Sequence, residues 1–365
     1  MKMDDPAKGK QMFINIWYLP TVFLLCCLAV LLFVPNLMAR TDSSFNPGAV
    51  SEVMNGTRAE ANAAWWGFHE MDSTHALQAA ISSKAKKIIV PNMGKPWVVE
   101  PIILESDKEI IFEKGVIVLA KPGKFHGSRD SLFSAINKKN IIIRGYGAEL
   151  IMRKQDYAQA PYKKAEWRHC LSFEGCRNIK VFGLRLANSG GDGIYIGRGI
   201  GKASSSSTDQ VHIKDVICDN NYRQGISIVS ASKLLIENSI FQNTSGTSPQ
   251  AGIDFEPDKP DEILTDCIVR NCISRDNAGV GISMLLQRFN KDSRPVSITI
   301  EGCRAFGNKR GAFVITGKES EKLAGPLRGS INFKNCDLDG HIRQNNVEML
   351  DIQFESGKER LGENK

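Results

Sequence analysis

Gly193-Ile194-Tyr195-Ile196, Gly225-Ile226-Ser227-Ile228, Gly252-Ile253-Asp254-Phe255 and Gly281-Ile282-Ser283-Met284 repeat one phrase, a glycine followed by two apolar residues flanking a variable one. Gly311-Ala312-Phe313-Val314 reads as a further copy. The glycines stand about 30 residues apart, and self-similarity at such a period marks a solenoid. Each phrase follows an alternating strand, such as Ile179-Lys180-Val181, Val211-His212-Ile213 or Ile298-Thr299-Ile300. Asn188, Asn221, Asn243, Asn277 and Asn308 recur at the turn between, where side-chain amides can bond from coil to coil. A leucine-rich horseshoe has a shorter period and a leucine skeleton. A propeller blade needs four strands in roughly 40 residues. Three short strands in about 30 residues fit one coil of a parallel β-helix, so the fold expected is all-β and single-stranded.

Outward from the repeat, Asp72-Ser73-Thr74 is a capping signal, and His75 to Ile81 is a short helix that would cap the stack. The solenoid is expected over residues 68–354, after a linker at 41–67 and before a polar tail at 355–365. Residues 1–40 read as a signal peptide or membrane anchor. Lysines precede an uncharged stretch whose densest part is Val22 to Val34. That part suits a signal-peptide core, and the wider run from Met12 is long enough to span a bilayer. Either reading exports the remainder, secreted or membrane-anchored with the β-helix outside the cytoplasm, and limits membrane contact to this segment. The net charge of +7 in 365 residues is mild and scattered, which argues against a nucleic-acid partner. Nine cysteines include no CxxC pair, so zinc is not expected; seven of them, from Cys170 to Cys336, read as small apolar residues inside the coils.

The helix Ala76-Leu77-Gln78-Ala79-Ala80-Ile81 and the coils of Asn followed by Gly-Ile-x-Ile resemble the pectin-lyase-like superfamily over residues 68–350. That superfamily includes polygalacturonases, pectate lyases and mannuronan C5-epimerases. The resemblance implies a right-handed parallel β-helix and a polysaccharide partner.

Period-2 alternation puts Ile253 and Phe255 in the core and turns the residues between such pairs outward. One outward column is then Tyr195, Ser227, Asp254, Ser283 and Phe313; the next holds Gly197, Val229, Glu256 and Leu285. They would form a shallow outer face, walled by loops 197–210, 257–263, 285–295 and 316–328, in which basic residues outnumber acids. Asp254 and Glu256, two positions apart on one strand, have backbones about 6.6 Å apart. Carboxylates at roughly 5–9.5 Å suit glycoside hydrolysis, with one protonated and one ionised. An Asp-x-Glu is also what an ordinary solvated strand carries.

Gly191-Asp192-Gly193-Ile194 resembles the Asn-Thr-Asp-Gly element of polygalacturonases, which makes Asp192 a third catalytic candidate. Gln224 and Gly225 stand where that family has paired aspartates, and no Gly-His-Gly follows. Gly252-Ile253-Asp254-Phe255-Glu256 resembles the Gly-Phe-Asp-Pro-His element of mannuronan epimerases, with Glu256 in place of His. Arg223 and Gln224, between Asp192 and Asp254 in coil order, are candidate sugar-binding residues. Tyr195 and Tyr222 are candidates for the same role or for a substitute base. His169 is a lone histidine that the sequence does not place.

The expected function is a carbohydrate-active enzyme hydrolysing glycosidic bonds, most simply of an acidic polysaccharide. The alternatives are a lyase or C5-epimerase on a uronate polymer, and a non-catalytic glycan-binding surface protein. No cofactor or metal ligand set is expected, a structural or catalytic Ca2+ being the one ion left open.

Overall fold

A computed structural model describes residues 44–201, 206–317, 327–345, 350–355 and 358–360. Its strands form a 19-stranded and a 9-stranded sheet, and every ladder is parallel. Successive copies of the opening phrase pair in register, Ile194 with Ile226, Ile226 with Ile253 and Ile253 with Ile282. The chain is a parallel β-helix, with the strands of each coil hydrogen-bonded to those of the next. Coil strands are not always separate: Lys139–Ile151 and Arg177–Ala187 each run across two faces and join them into the larger sheet. The ladder between these two shifts register between Phe182 and Leu184, where Gly183 takes φ 73° and lets the strand bend.

The core is a stack of inward side chains. Ile194, Ile226, Ile253 and Ile282 form one column, and Ile196, Ile228, Phe255 and Met284 the next, all buried. Burying each such side chain contributes about 1.5–3 kcal/mol. All seven cysteines from Cys170 to Cys336 are free and buried, serving as small core residues. The glycines that open the phrases are required by close approach. A Cβ at Gly252 would overlap Ser274 Oγ, and one at Gly225 would overlap the carbonyl oxygen of Gly252 in the next coil.

Four expectations change. The fifth phrase is displaced by one residue: Ile282 pairs with Phe313 and Ser283 with Val314, so Val314, not Phe313, continues the outward column. Phe313 turns inward and packs edge-on against Phe333, with ring centroids 4.7 Å apart; a one-residue slip reverses which side chains face the core. The turn asparagines form two columns, one position apart. Asn188, Asn220 and Asn243 take left-handed φ, with Asn220 Nδ2 donating to Asn188 Oδ1 at 2.9 Å. Asn221, Asn277 and Asn308 follow beneath, and Asn277 Nδ2 donates to Asn308 Oδ1 at 2.8 Å.

The third change concerns the expected linker, which is folded from residue 44. Asn46 caps a helix over Pro47–Asn55, and Glu60–Asn62 pairs with Lys87–Val90, extending the larger sheet. Val53 and Ala61 are buried with Ala85, so this segment closes the N-terminal end of the stack together with the helix Thr74–Ser82. Fourth, the solenoid continues into the expected tail, because Lys358–Arg360 pairs with Asp337–Asp339. The expected leader lies outside the described residues, among which no helix is long and apolar enough to cross a membrane.

Candidate active site

The ladders place Tyr195, Ser227, Asp254 and Ser283 side by side on four consecutive coils. The column faces away from the core, as alternation requires, but it is not the open surface that alternation suggests. Asp254 is 0% exposed, and Ser227 and Ser283 are equally buried. What covers it comes from the turn of the preceding coil. Gln224, itself buried, donates from Nε2 to Asp254 Oδ2 at 2.6 Å, and its Oε1 accepts the amide of Ala251 at 2.9 Å. Its neighbour Arg223, with a side chain only 13% exposed, reaches Glu256 Oε2 through Nη2 at 2.5 Å. The strand ladder persists as far as Glu256, whose amide donates to Ile228 O at 3.1 Å. Asp254 and Glu256 thus share a strand edge, Glu256 at the rim with a quarter of its side chain exposed.

Asp192 lies on the other side of Arg223. It is fully buried, and neither carboxylate oxygen has a hydrogen-bond partner. Its backbone N–H donates to His169 Nδ1 at 3.0 Å. Asp192 Oδ2 lies 3.2 Å from the same nitrogen. His169 stacks on Tyr195 with ring centroids 4.8 Å apart, and the Tyr195 ring lies over Gly197, where a Cβ would collide with it. His169 therefore joins the site through Asp192 and Tyr195. Its only sequence signal is chemical type, because the long stretch between the strands ending at Ile151 and starting at Leu171 hides its register.

Burial is the largest influence on Asp254 and raises its pKa well above the usual carboxylate range, with the nearby Glu256 charge adding to the effect. Arg223 and the Ser283 hydroxyl oppose it without reversing it. The Ser283 hydroxyl is near enough to favour the ionised form, yet it makes no hydrogen bond of good geometry, and neither does Ser227. Asp254 Oδ1 is likewise buried without a partner. Burial alone would lower the Arg223 pKa, but Asp192, Glu256 and Asp254 together outweigh it and fix the guanidinium as a cation. Burial pushes the Tyr195 hydroxyl pKa up, and the charges of Glu174 and Asp258 add to this, which makes Tyr195 a poor base. A buried acid with a raised pKa, an arginine cation and a line of polar atoms without partners are unusual in a core, where such groups are normally satisfied. They suit a place where a polar ligand reacts.

The structure thus brings together Asp254, Glu256, Asp192, Arg223, Gln224 and Tyr195. Tyr222 stands apart. Its ring lies against Gly246 in the turn of the next coil, and no hydrogen bond, ion pair or ring contact among the described residues joins it to Asp254 or Glu256. Part of the expected wall is formed: Arg198 pairs with Asp261, Ser293 Oγ donates to Pro260 O at 2.7 Å, and Arg328 donates to Ser293 O at 3.2 Å. The remainder, 202–205 and 318–326, lies outside the described residues. Among the described residues no group of three His, Cys, Asp or Glu is arranged to hold a metal ion.

The family model for the right-handed β-helix region matches residues 163–346, half of the chain and every site residue named above. The chain belongs to this right-handed β-helix family. An uncharacterized protein, YclG of Bacillus subtilis, is 27% identical over 163 residues, 42% of this chain; the match spans only 27% of that relative's length. Among solved structures, a galactohydrolase named for a sulfated galactose–anhydrogalactose polymer superposes with TM-score 0.52 at 13% identity, covering 76% of this chain and 70% of the other. The family 28 exopolygalacturonase of Yersinia enterocolitica gives 0.48 at 12% identity, covering 84% and 77%. The mannuronan C-5 epimerase A-module of Azotobacter vinelandii gives 0.46 at 12%, covering 82% and 96%. At these identities the likeness is one of fold.

Proposed function

We propose that the protein is an exported carbohydrate-active enzyme that hydrolyses glycosidic bonds of an acidic polysaccharide. The observation that carries this reading is Asp254: fully buried, inclined to keep its proton, held by Gln224 through one oxygen and uncommitted at the other. Such a carboxyl is suited to protonate a departing glycosidic oxygen. In the step proposed, Asp254 gives its proton to that oxygen as the bond to the sugar C1 breaks. A water oxygen bonds to C1, and its proton passes to Glu256, with Asp192 assisting from the far side of Arg223. Arg223, Gln224 and Tyr195 bind the sugar.

Export rests on the uncharged segment around Val22 to Val34. A lyase or epimerase is the second reading, favoured by Arg223, which could neutralise a uronate carboxylate beside the reacting carbon. It needs a base, and the raised Tyr195 pKa disfavours the nearest phenol.

Incubation with acidic and neutral polysaccharides separates the readings. New reducing ends without the ultraviolet absorbance of an unsaturated uronate support hydrolysis. Absorbance supports the lyase. Binding with no product of either kind supports a non-catalytic glycan-binding protein.

A further inference from the structure

The turn from Ala158 to His169 places Glu166 over the site. Its anchor is Arg168, a fully buried guanidinium that donates to Phe125 O at 2.9 Å and Lys163 O at 3.1 Å, and that bridges its backbone to Gly190. The Glu166 backbone itself rests on the residue before Asp192: a Cβ at Gly191 would stand 2.6 Å from Glu166 O. This turn therefore roofs Asp192. From it, Glu166 Oε2 approaches Arg223 Nε to 3.7 Å. That is an ion-pair distance, but not a hydrogen bond, and Nε is buried with no hydrogen-bond partner. The Arg223 fork is thus half used, Nη2 on Glu256 and Nε only loosely neutralised by a carboxylate whose side chain is 33% exposed.

A guanidinium satisfies a carboxylate best through two parallel hydrogen bonds. An ion pair as long as Glu166–Arg223, made by a part-exposed carboxylate without a hydrogen bond, is weak, and a ligand carboxylate displaces it at small cost. Every other acid facing Arg223 is tied into the site: Glu256 by its hydrogen bond, Asp254 through Gln224, and Asp192 beneath the roof. Glu166 alone stands on the covering turn.

We propose that Glu166 is a placeholder that occupies the position of a sugar carboxylate on Arg223, so that the site admits uronate-bearing glycans by exchange of one carboxylate for another. This deepens the hydrolase reading and rests on it. The exchange moves the Glu166 side chain alone, because Arg168 keeps the turn itself anchored. It also makes Glu166 a specificity device: a neutral sugar offers Arg223 nothing in return for the lost charge and leaves Glu166 in place.

The test is calorimetric titration of the full chain with D-galacturonate and D-glucuronate, and with D-galactose and D-glucose as neutral controls. The comparison is of wild type with Glu166→Gln and Arg223→Met. Glu166→Gln removes the competing charge from a part-exposed position while keeping shape. It is expected to tighten uronate binding roughly three- to five-fold, the range of a weak ion pair, and to leave the neutral hexoses unchanged. Arg223→Met is expected to remove the preference for uronates. Equal or weaker uronate binding by Glu166→Gln, or an equal gain for neutral hexoses, overturns the proposal. So does the absence of uronate binding by all three proteins; release of reducing ends from a neutral glycan would then leave the hydrolase reading standing without the exchange. Circular dichroism of each variant separates lost binding from lost fold.

Discussion

Gln224 Nε2 donates to Asp254 Oδ2 at 2.6 Å while Gln224 Oε1 accepts the amide of Ala251. One buried side chain thus links a carboxyl to the backbone three residues before it, across two coils. The contact occupies one Asp254 oxygen and turns the other toward the column, which is the arrangement a proton donor needs. Replacing Gln224 by Leu keeps the bulk but leaves the Asp254 oxygen and the Ala251 amide unpaired in a dry site. The expected cost is about 1–3 kcal/mol, read from the denaturant midpoint at constant slope.

Asp254 itself should cost the protein stability at neutral pH. The native carboxyl keeps a proton that the unfolded chain loses near its ordinary pKa of about 3.9. Above that pH the native state binds more protons than the unfolded one, so this residue's contribution falls as pH rises, until the native carboxyl ionises. Asp254→Asn removes the effect and still accepts from Gln224. Thermal unfolding should show the variant gaining on wild type from pH 4 towards pH 8. A variant less stable than wild type at pH 7 contradicts the assignment.

The lower asparagine column is a second place where one side chain serves two coils. Asn277 Oδ1 accepts the Thr244 amide at 3.0 Å and its Nδ2 donates to Phe241 O at 3.2 Å, both buried, and Nδ2 also donates to the half-buried Asn308 Oδ1 at 2.8 Å. Asn277→Ala leaves these groups without partners and should destabilise by about 1–3 kcal/mol or more in urea unfolding. Asn243 lies in the outer column, where its amide donates to Asp219 Oδ1 at 2.8 Å in an exposed setting, and Asn243→Ala should cost less.

Gly252 opens the phrase that carries Asp254, and a methyl group there would overlap Ser274 Oγ and crowd Asn277. Gly252→Ala should cost about 1–3 kcal/mol through overpacking. It should also reduce activity more than its loss of stability explains, because the strand that shifts is the one holding Asp254 and Glu256. Comparing kcat with the denaturant midpoint for the same variant checks both.

The coil architecture was legible because the glycine phrases carry it: Gly225 and Gly252 sit where the next coil leaves no room for a Cβ, and Ile253 and Phe255 alternate as a half-buried strand must. The one-residue slip at Phe313 was not, because Gly311-Ala312 offers two residues small enough for the tight position, and only the packing of Phe313 on Phe333 decides between them. Asp254, Glu256, Arg223 and Gln224 were found from strand alternation and coil order. The burial of Asp254 and Gln224 was not, since alternation says which way a side chain leaves the strand and nothing about what a neighbouring turn lays over it. Glu166 and His169 sit at the end of a long irregular turn with no period to place them, so their approach to Arg223 and Asp192 emerges only from the folded chain. Residues 47–62 were misread as linker for a related reason: a single cap has no repeat to announce it.

The most direct measurement is release of reducing ends from an acidic polysaccharide by wild type and by Asp254→Asn at equal folded concentration. Wild type should cleave, and the variant should fall by roughly 10²- to 10⁴-fold, the range for loss of a general acid, while its unfolding transition stays intact. Undiminished cleavage by a folded Asp254→Asn protein would contradict the assignment of this column as the hydrolytic site.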